Sequence, residues 1–328
     1  MTDVAKLAGV SHQTVSRVIN DHPSVRSDTR ARVRAAMQEL GYRPNNAARA
    51  LVTGRTRVVG VVAQNTALFG PASMLTALER ALDSAGLAVG IASVQELDQG
   101  SIGQAVERLL EQRVGGIVVI APVASANEAI DDLPADLPFV AIDGDPQRPH
   151  QVVTVDQALG ARLATQHLLA AGHETVWHVS GPDDWFDSAR RVDGWREALR
   201  EAGVEEPPVI RADWTLAAGH AAGRMLANMP TVTAVFAAND HLAIGIMKAL
   251  SEAGRRVPED LSIVGFDDIP ESAYLSPALT TIRPDFNAVA GEAVSMLMSQ
   301  MAGGTDSPPL TVDAIAPTLV ERDSVRVV

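Results

Sequence analysis

Between residues 10 and 20 the run Val10-Ser11-His12-Gln13-Thr14-Val15-Ser16-Arg17-Val18-Ile19-Asn20 repeats with a helical period. Apolar side chains fall on one face, and His12, Gln13, Ser16, Arg17 and Asn20 fall on the other. Those polar groups have the reach and the donor and acceptor sets to meet base edges and phosphates in a DNA major groove. A second group of polar residues closes apolar runs further along: Asp143, Asn239-Asp240 and Asp267-Asp268. Planar two-pronged side chains there, joined by a guanidinium such as Arg191, suit a ligand with adjacent hydroxyl pairs, and an aromatic ring suits its C–H face. A pyranose sugar has both.

The first set needs a helix pair to carry it. Residues 3–8, 11–20 and 27–40 read as three short helices, with Gly9 permitting a positive φ at the turn and Ser11 capping the second helix. Val4, Leu7, Ala8, Val10, Val15, Val18 and Ile19 supply the inner faces, and Gly41 stops the third helix. Residues 45–52 are compatible with a fourth, short helix that is marginal in water on its own. Charge follows the same division. Residues 1–55 carry nine Lys or Arg against four acids, a balance of +5, whereas the remainder is at −18 and the whole at −13. A basic head on an acidic body keeps affinity for a polyanion at one end.

From residue 57 the pattern becomes α/β. Strands are expected at 58–63, 88–94, 116–121, 139–143, 175–180, 232–237 and 262–266. Helices are expected at 74–85, 102–112, 158–171, 187–202, 217–227, 241–253 and 286–301. Such alternation builds doubly wound parallel sheets whose ligands gather at the carboxyl ends of the strands.

Several chemistries are declined. The chain has no cysteine, hence no disulfide and no thiol nucleophile. It has no nucleophile elbow, no phosphate-binding Gly-Lys-Ser/Thr loop and no dinucleotide glycine triplet after the first body strand, so no cofactor is expected. His173 and His178 are five apart, the wrong spacing for a helical zinc pair, and no metal site is expected. Asp183, Asp184 and Asp187 read as a solvated acidic cluster near a loop. Neither a secretory leader nor an 18-residue apolar run is evident, which points to the cytoplasm, near the nucleoid, and away from membranes.

The head resembles that of the LacI/GalR repressor family, and the resemblance runs through almost the whole chain. It is carried by Ala67-Leu68-Phe69-Gly70-Pro71, Gly181-Pro182, Ala189-Arg190-Arg191-Val192-Asp193-Gly194-Trp195, Asp213-Trp214, Ala238-Asn239-Asp240, Val264-Gly265-Phe266-Asp267-Asp268, and Leu279-Thr280-Thr281-Ile282 with Asp285-Phe286. The resemblance implies a helix-turn-helix headpiece (1–41), a hinge helix and linker (42–56), and a periplasmic-binding-protein-like body (57–328). The body would have an N-subdomain of about 57–154 and 286–311, and a C-subdomain of about 155–285 and 312–328. It further implies base readout by His12, Gln13 and Arg17, and backbone contacts from Ser11, Thr14 and Asn20. In the hinge, Asn45 and Ala48 would lie in a minor groove while Leu51 wedges a base step.

In the body the resemblance implies a sugar held by Asp143, Arg191, Asn239 and Asp267, stacked on Trp214, with Leu68, Pro71 and Phe286 as the apolar wall. The match is better to the lactose branch of the family than to its purine or ribose branches, so a galactoside or related β-glycoside is expected. Departures are Asp187 and Pro284, where a serine and a glutamine are expected, and the bulk of Trp185-Phe186. His12 stands in place of a tyrosine, and relative to the family the chain begins inside the first helix. With only eight residues after Val320 there is no heptad tail, and a homodimer is expected. The expected partners are therefore double-stranded operator DNA and a small sugar effector, and the expected role is that of a regulator, not an enzyme. Readings from other classes are a sugar-binding transport protein, which has no use for residues 1–55, and a sugar-acting enzyme, in which Asp143 and Asp267 would form the acid/base pair.

Overall fold

The computed structural model describes residues 1–19, 22, 24–42, 56–64, 67–145, 152–303 and 314–328. Asn20, Asn45, Ala48 and Leu51 lie outside the described residues. Contacts divide the chain into two units, Met1–Arg57 and Val58–Val328.

The first unit is all-helical: α1 (Thr2–Ala8), α2 (His12–Ile19) and α3 (Ser27–Glu39). Gly9, at φ 62°, ends α1 and donates its N–H to the carbonyls of Ala5 and Lys6. The Ser11 hydroxyl accepts from Thr14 N at 3.1 Å and meets the Thr14 hydroxyl at 2.9 Å, which caps α2. Val4, Ala5, Ala8, Val15, Val18, Val33 and Ala36 form the core, with Val10 and Ile19 packed partly buried against it. Leu7 is not part of it, being 47% exposed. At about 100° per residue, the buried stripe of Val4, Ala5 and Ala8 leaves position 7 roughly a quarter-turn outside it.

The second unit holds two sheets. The first runs β2-β1-β3-β4-β5, all parallel: β1 (Val58–Gln64), β2 (Ala88–Val94), β3 (Gly116–Ile120), β4 (Phe139–Ile142) and β5 (Val152–Val153). Against it pack α4 (Phe69–Ser84), α5 (Gln99–Glu111), α6 (Asn127–Asp131) and α11 (Phe286–Met301). The second runs β11-β10-β9-β8-β6-β7: β6 (Trp177–Ser180), β7 (Ile210–Arg211), β8 (Ala234–Ala237), β9 (Ser262–Phe266), β10 (Thr280–Arg283) and β11 (Thr318–Val320), the last antiparallel. Its helices are α7 (Gln157–Ala170), α8 (Phe186–Ala202), α9 (Leu216–Ala227) and α10 (Asp240–Glu252). Each sheet reverses its winding beside its first strand, so the carboxyl ends of β1 and β3, and of β6 and β8, form crevices.

The expected α/β class and doubly wound sheets are present. Four short strands, β5, β7, β10 and β11, were not anticipated. They have two to four residues each, and β10 and β11 contribute threonines rather than an unbroken apolar run. α4 starts at Phe69, five residues before its expected start, because Gly70-Pro71 falls in the first turn, where proline's missing N–H has no helical partner to lose.

Helices α9 and α10 cross on glycines. A Cβ at Gly245 would strike the carbonyl of Leu216 and stand 2.6 Å from His220 N, whereas one at Gly103 in α5 would meet nothing within 4 Å. Gly245→Ala is therefore expected to lower body stability by about 1–3 kcal/mol, while Gly103→Ala leaves it unchanged or raises it by up to about 1 kcal/mol. Urea midpoints of the two variants check this, and equal midpoints would contradict the close crossing.

Candidate functional site

The positions along α1, α2 and the turn between them resolve into a simple pattern in the first unit. With Val15 and Val18 buried, α2 presents Ser11, His12, Gln13 and Arg17 to solvent, and Thr14 and Ser16 half-exposed. The cap fixes where α2 starts and the buried valines fix its rotation, so an exposed polar strip of these six residues follows from local sequence alone.

In the second unit a cavity of about 30 Å³ lies where the two sheets face each other. Its wall is built from strand ends and helix starts. Ile120 ends β3 and Pro122 follows it, Asp143 follows β4, Asp267 follows β9 and Pro284 follows β10; Gly70 and Pro71 begin α4, Gln157 begins α7, Trp185 and Asp187 begin α8, and Phe286 begins α11. Two backbone hydrogen bonds, which together make one antiparallel bridge, draw the two sides together at Trp185. Val123 and Trp185 form an antiparallel bridge, Ala124 N donates to Asp184 O at 3.1 Å, and Phe186 N donates to Pro122 O at 2.8 Å. The remaining space is that of about one or two waters, so a sugar enters only if these links open.

Arg191 organises the wall. Its Nε donates to Gln157 Oε1 at 2.9 Å, its Nη1 donates to the carbonyl of Ala238, and its guanidinium lies 3.7 Å from the centre of the Phe266 ring. Its Nη2 faces Asp187 at 3.9 Å and Asp267 at 3.8 Å. Asp143 takes a hydrogen bond from the Thr154 hydroxyl at 2.9 Å. Burial pushes all three carboxyls up from the ordinary carboxylate range. For Asp143 the nearby Asp187 adds to burial, against Thr154 and Arg191. For Asp187 burial acts against Arg191 alone. Asp267 is pushed up to about 8 by burial, which outweighs Arg191 and is reinforced by Asp240 and Asp187. Asp143, Asp267 and Asp268 also hold positive φ, at 56°, 106° and 49°, backbone strain placed at the carboxyl ends of β4 and β9.

Of the eight residues expected around a sugar, Pro71, Asp143, Arg191, Asp267 and Phe286 share this wall. Leu68, Trp214 and Asn239 do not line it. Leu68 packs partly buried on the core under α9 and α10. Asn239 caps α10 by accepting from Leu242 N at 2.8 Å, and its amide donates to Trp214 O at 3.3 Å. Trp214, 6% exposed, fills the space that Gly181 leaves by having no Cβ. The aromatic rings on the wall are Phe286 and Trp185, the latter set edge-on against Trp214 at 5.4 Å. Asp187, expected in a solvated cluster, faces inward, while Asp183 stays exposed and pairs with Arg211 at 2.6 Å. The first turn of α8 separates them, a turn whose start the sequence placed one residue late.

His178 is a core residue: it stacks on Phe236 at 4.6 Å, its Nδ1 lies 2.9 Å from Phe236 O, and burial lowers its pKa to about 3. Among the described residues no cluster of metal-binding side chains occurs.

Comparison with known proteins follows the same two units. Residues 1–45 match the model of bacterial regulatory proteins, lacI family, and residues 165–325 match a periplasmic binding protein-like domain. The lactose operon repressor of Escherichia coli (strain K12) is 33% identical over 92% of this chain and 84% of its own length. The chain belongs to the lacI family. The HTH-type transcriptional regulator CelR of Thermobifida fusca is 35% identical over 93% of this chain and 92% of its own. Among solved structures, the lac repressor dimer bound to operator and the anti-inducer ONPF superposes with a TM-score of 0.85 at 32% identity, over 99% of this chain and 98% of that one. A CelR–cellobiose complex superposes with a TM-score of 0.73 at 30% identity, over 98% of both. The family's members of this kind are transcriptional regulators, and this chain is a regulator with a helix-turn-helix head, not an enzyme.

Because the folded Asp267 holds its proton up to about pH 8 and the unfolded one releases it near pH 4, stability from this group is complete below that window and is lost as pH rises through it. Asp267→Asn removes the titration. Its melting temperature relative to the unmodified protein should rise between about pH 5.5 and about pH 8.5, by about 2–4 °C for each kcal/mol relieved. Differential scanning fluorimetry without ligand reads the gap, and a gap constant with pH would contradict the burial of an unbalanced charge.

Proposed function

We propose that this regulator is a homodimer that represses by holding a palindromic operator and releases it when a galactoside or related β-glycoside occupies the cleft. The observation that carries the reading is the capped α2, with Val15 and Val18 buried and His12, Gln13 and Arg17 turned outward. That is the arrangement a major groove requires of a recognition helix. In this reading His12, Gln13 and Arg17 meet base edges, while Ser11, Thr14, Ser16 and Asn20 hold the backbone. The hinge residues Asn45, Ala48 and Leu51 take the minor groove, with Leu51 in a base step.

The effector side rests on the wall that joins Asp143, Arg191 and Asp267. Leu68, Trp214 and Asn239 then support it from behind rather than touching the sugar in the closed cleft. A relative has been solved with cellobiose, a β-linked disaccharide, and another with operator DNA as a dimer. An open groove of about 480 Å³ along α4, His241 and Glu271, together with a Tyr274 ring 88% exposed, offers surface for a second copy. No helix among the described residues is long and apolar enough to cross a membrane, and operator binding places the work in the cytoplasm.

Coupling follows from volume. The cavity as it stands holds no sugar, so ligand entry breaks the links at residues 122–124 and 184–186 and resets the two sheets of the body. A ligand shifts the DNA-binding equilibrium only by its difference in affinity for those two arrangements.

Fluorescence anisotropy with DNA from upstream of the protein's own gene tests the reading. Binding should weaken steeply with salt, and Arg17→Ala should cost about 1–3 kcal/mol. Galactosides or cellobiose should weaken binding, and Arg191→Ala should abolish that response while leaving DNA affinity in place. Sugars that strengthen DNA binding would make the protein co-repressed and reverse the sign of the mechanism.

A further inference from the structure

The cleft wall carries more carboxyl groups than this chain supplies with donors or cations. Among its described lining residues are three carboxylates, Asp143, Asp187 and Asp267, and one cation, Arg191. Two of the guanidinium's nitrogens are committed to Gln157 and the Ala238 carbonyl. Nη2 reaches Asp187 and Asp267 only at 3.9 and 3.8 Å, beyond hydrogen-bond length. Neither of those carboxylates has a hydrogen bond from a described residue, although the Asp267 side chain is only 9% exposed.

Elsewhere in the body, buried acids are supplied with partners. Asp268, next to Asp267, pairs with Arg283 at 2.5 Å and with Arg322 at 2.6 Å. Asp240 accepts from the hydroxyls of Thr281 and Ser272 and from Ile269 N, at 2.6, 2.7 and 2.9 Å. Buried polar groups without partners are costly, so the cluster on the wall is where a donor from outside the chain belongs. The Trp185 ring beside it adds an aromatic face, which attracts cations as well as sugar C–H groups. In the free protein burial keeps Asp143 and Asp267 protonated around neutral pH. A neutral sugar offers hydroxyl donors but leaves them so, whereas a ligand ammonium favours their ionised form, pairs with the carboxylates and brings three strong donors.

We propose that the effector is a sugar bearing a protonated amino group, and that Asp187, at the start of α8, is the residue that selects it. This rests on the cleft being the effector site. Asp143 and Asp267 then take ring hydroxyls, Arg191 orients the carboxylates, and Asp187 with Trp185 holds the ammonium.

Isothermal titration near neutral pH, where Asp187 is ionised, compares pairs that differ only at C2: galactosamine with galactose, and the diamino β-linked glucosamine disaccharide with cellobiose. N-acetylgalactosamine serves as a neutral control of larger size. The cationic member should bind about tenfold or more tightly, as for a close charge pair held out of water. Asp187→Asn, with Asp187→Ser as a second variant, should bring the members of each pair within about threefold by weakening only the cationic one. If the neutral sugars bind as well as the amino sugars, the ammonium proposal is overturned while the effector-site reading stands. If no member of either pair binds, the effector-site reading falls and the proposal with it.

Discussion

The guanidinium of Arg191 is the constraint on which the body's site depends. It projects from α8 and is gripped by the start of α7 through Gln157, by the end of β8 through Ala238, and by the face of Phe266 at the end of β9. Each grip requires its own local fit. Gly194, one turn further along α8, lets α7 approach until a Cβ there would run into Ala158. Gly160 on α7 leaves room for the Phe266 ring that the guanidinium covers. An arginine held on three sides is rigid enough to orient carboxylates that it does not touch within hydrogen-bond length.

Around that fixed cation the chain sorts its acids into two groups. Asp240 and Asp268 are closed into networks that lock the turn after β9. Asp143, Asp187 and Asp267 are left facing space, and the backbone at Asp143 and Asp267 is strained. Strain and buried acids with raised pKa values in one place are costs that a folded chain tolerates where something else is meant to bind. The links between residues 122–124 and 184–186 shut the cleft in the meantime. On the function proposed above, the same residues recognise a ligand and report its presence, since a sugar enters only by parting the two sheets.

Much of this was legible in sequence, for identifiable reasons. Unbroken runs such as Val58-Val59-Gly60-Val61-Val62 and Gly116-Ile117-Val118-Val119-Ile120 can only be buried strands between helices. Ser11 and the alternating faces of α2 declare its start and its orientation. Short edge strands carry too few residues to show a period, so β7 and β11 were silent. The family resemblance implied Trp214 as the ring that stacks on a sugar; in this structure it fills the space left by the missing Cβ of Gly181, and Trp185 lines the cavity. Asp187 was hidden by its neighbours. In a row with Asp183 and Asp184 it reads as one more solvated charge, and only the start of α8 at Phe186 turns it inward.

Burial raises the pKa values of Asp143, Asp187 and Asp267 in the free protein, and the one arginine that serves all three does not offset it. Carbon-13 NMR titration of the aspartate side-chain carboxyls in the ligand-free protein measures this directly, with Asp143→Asn and Asp267→Asn used for assignment. Asp143, Asp187 and Asp267 should all titrate above the ordinary range near pH 4, with Asp143 and Asp267 close to pH 8. Carboxyls that all titrate below about pH 5 would contradict it.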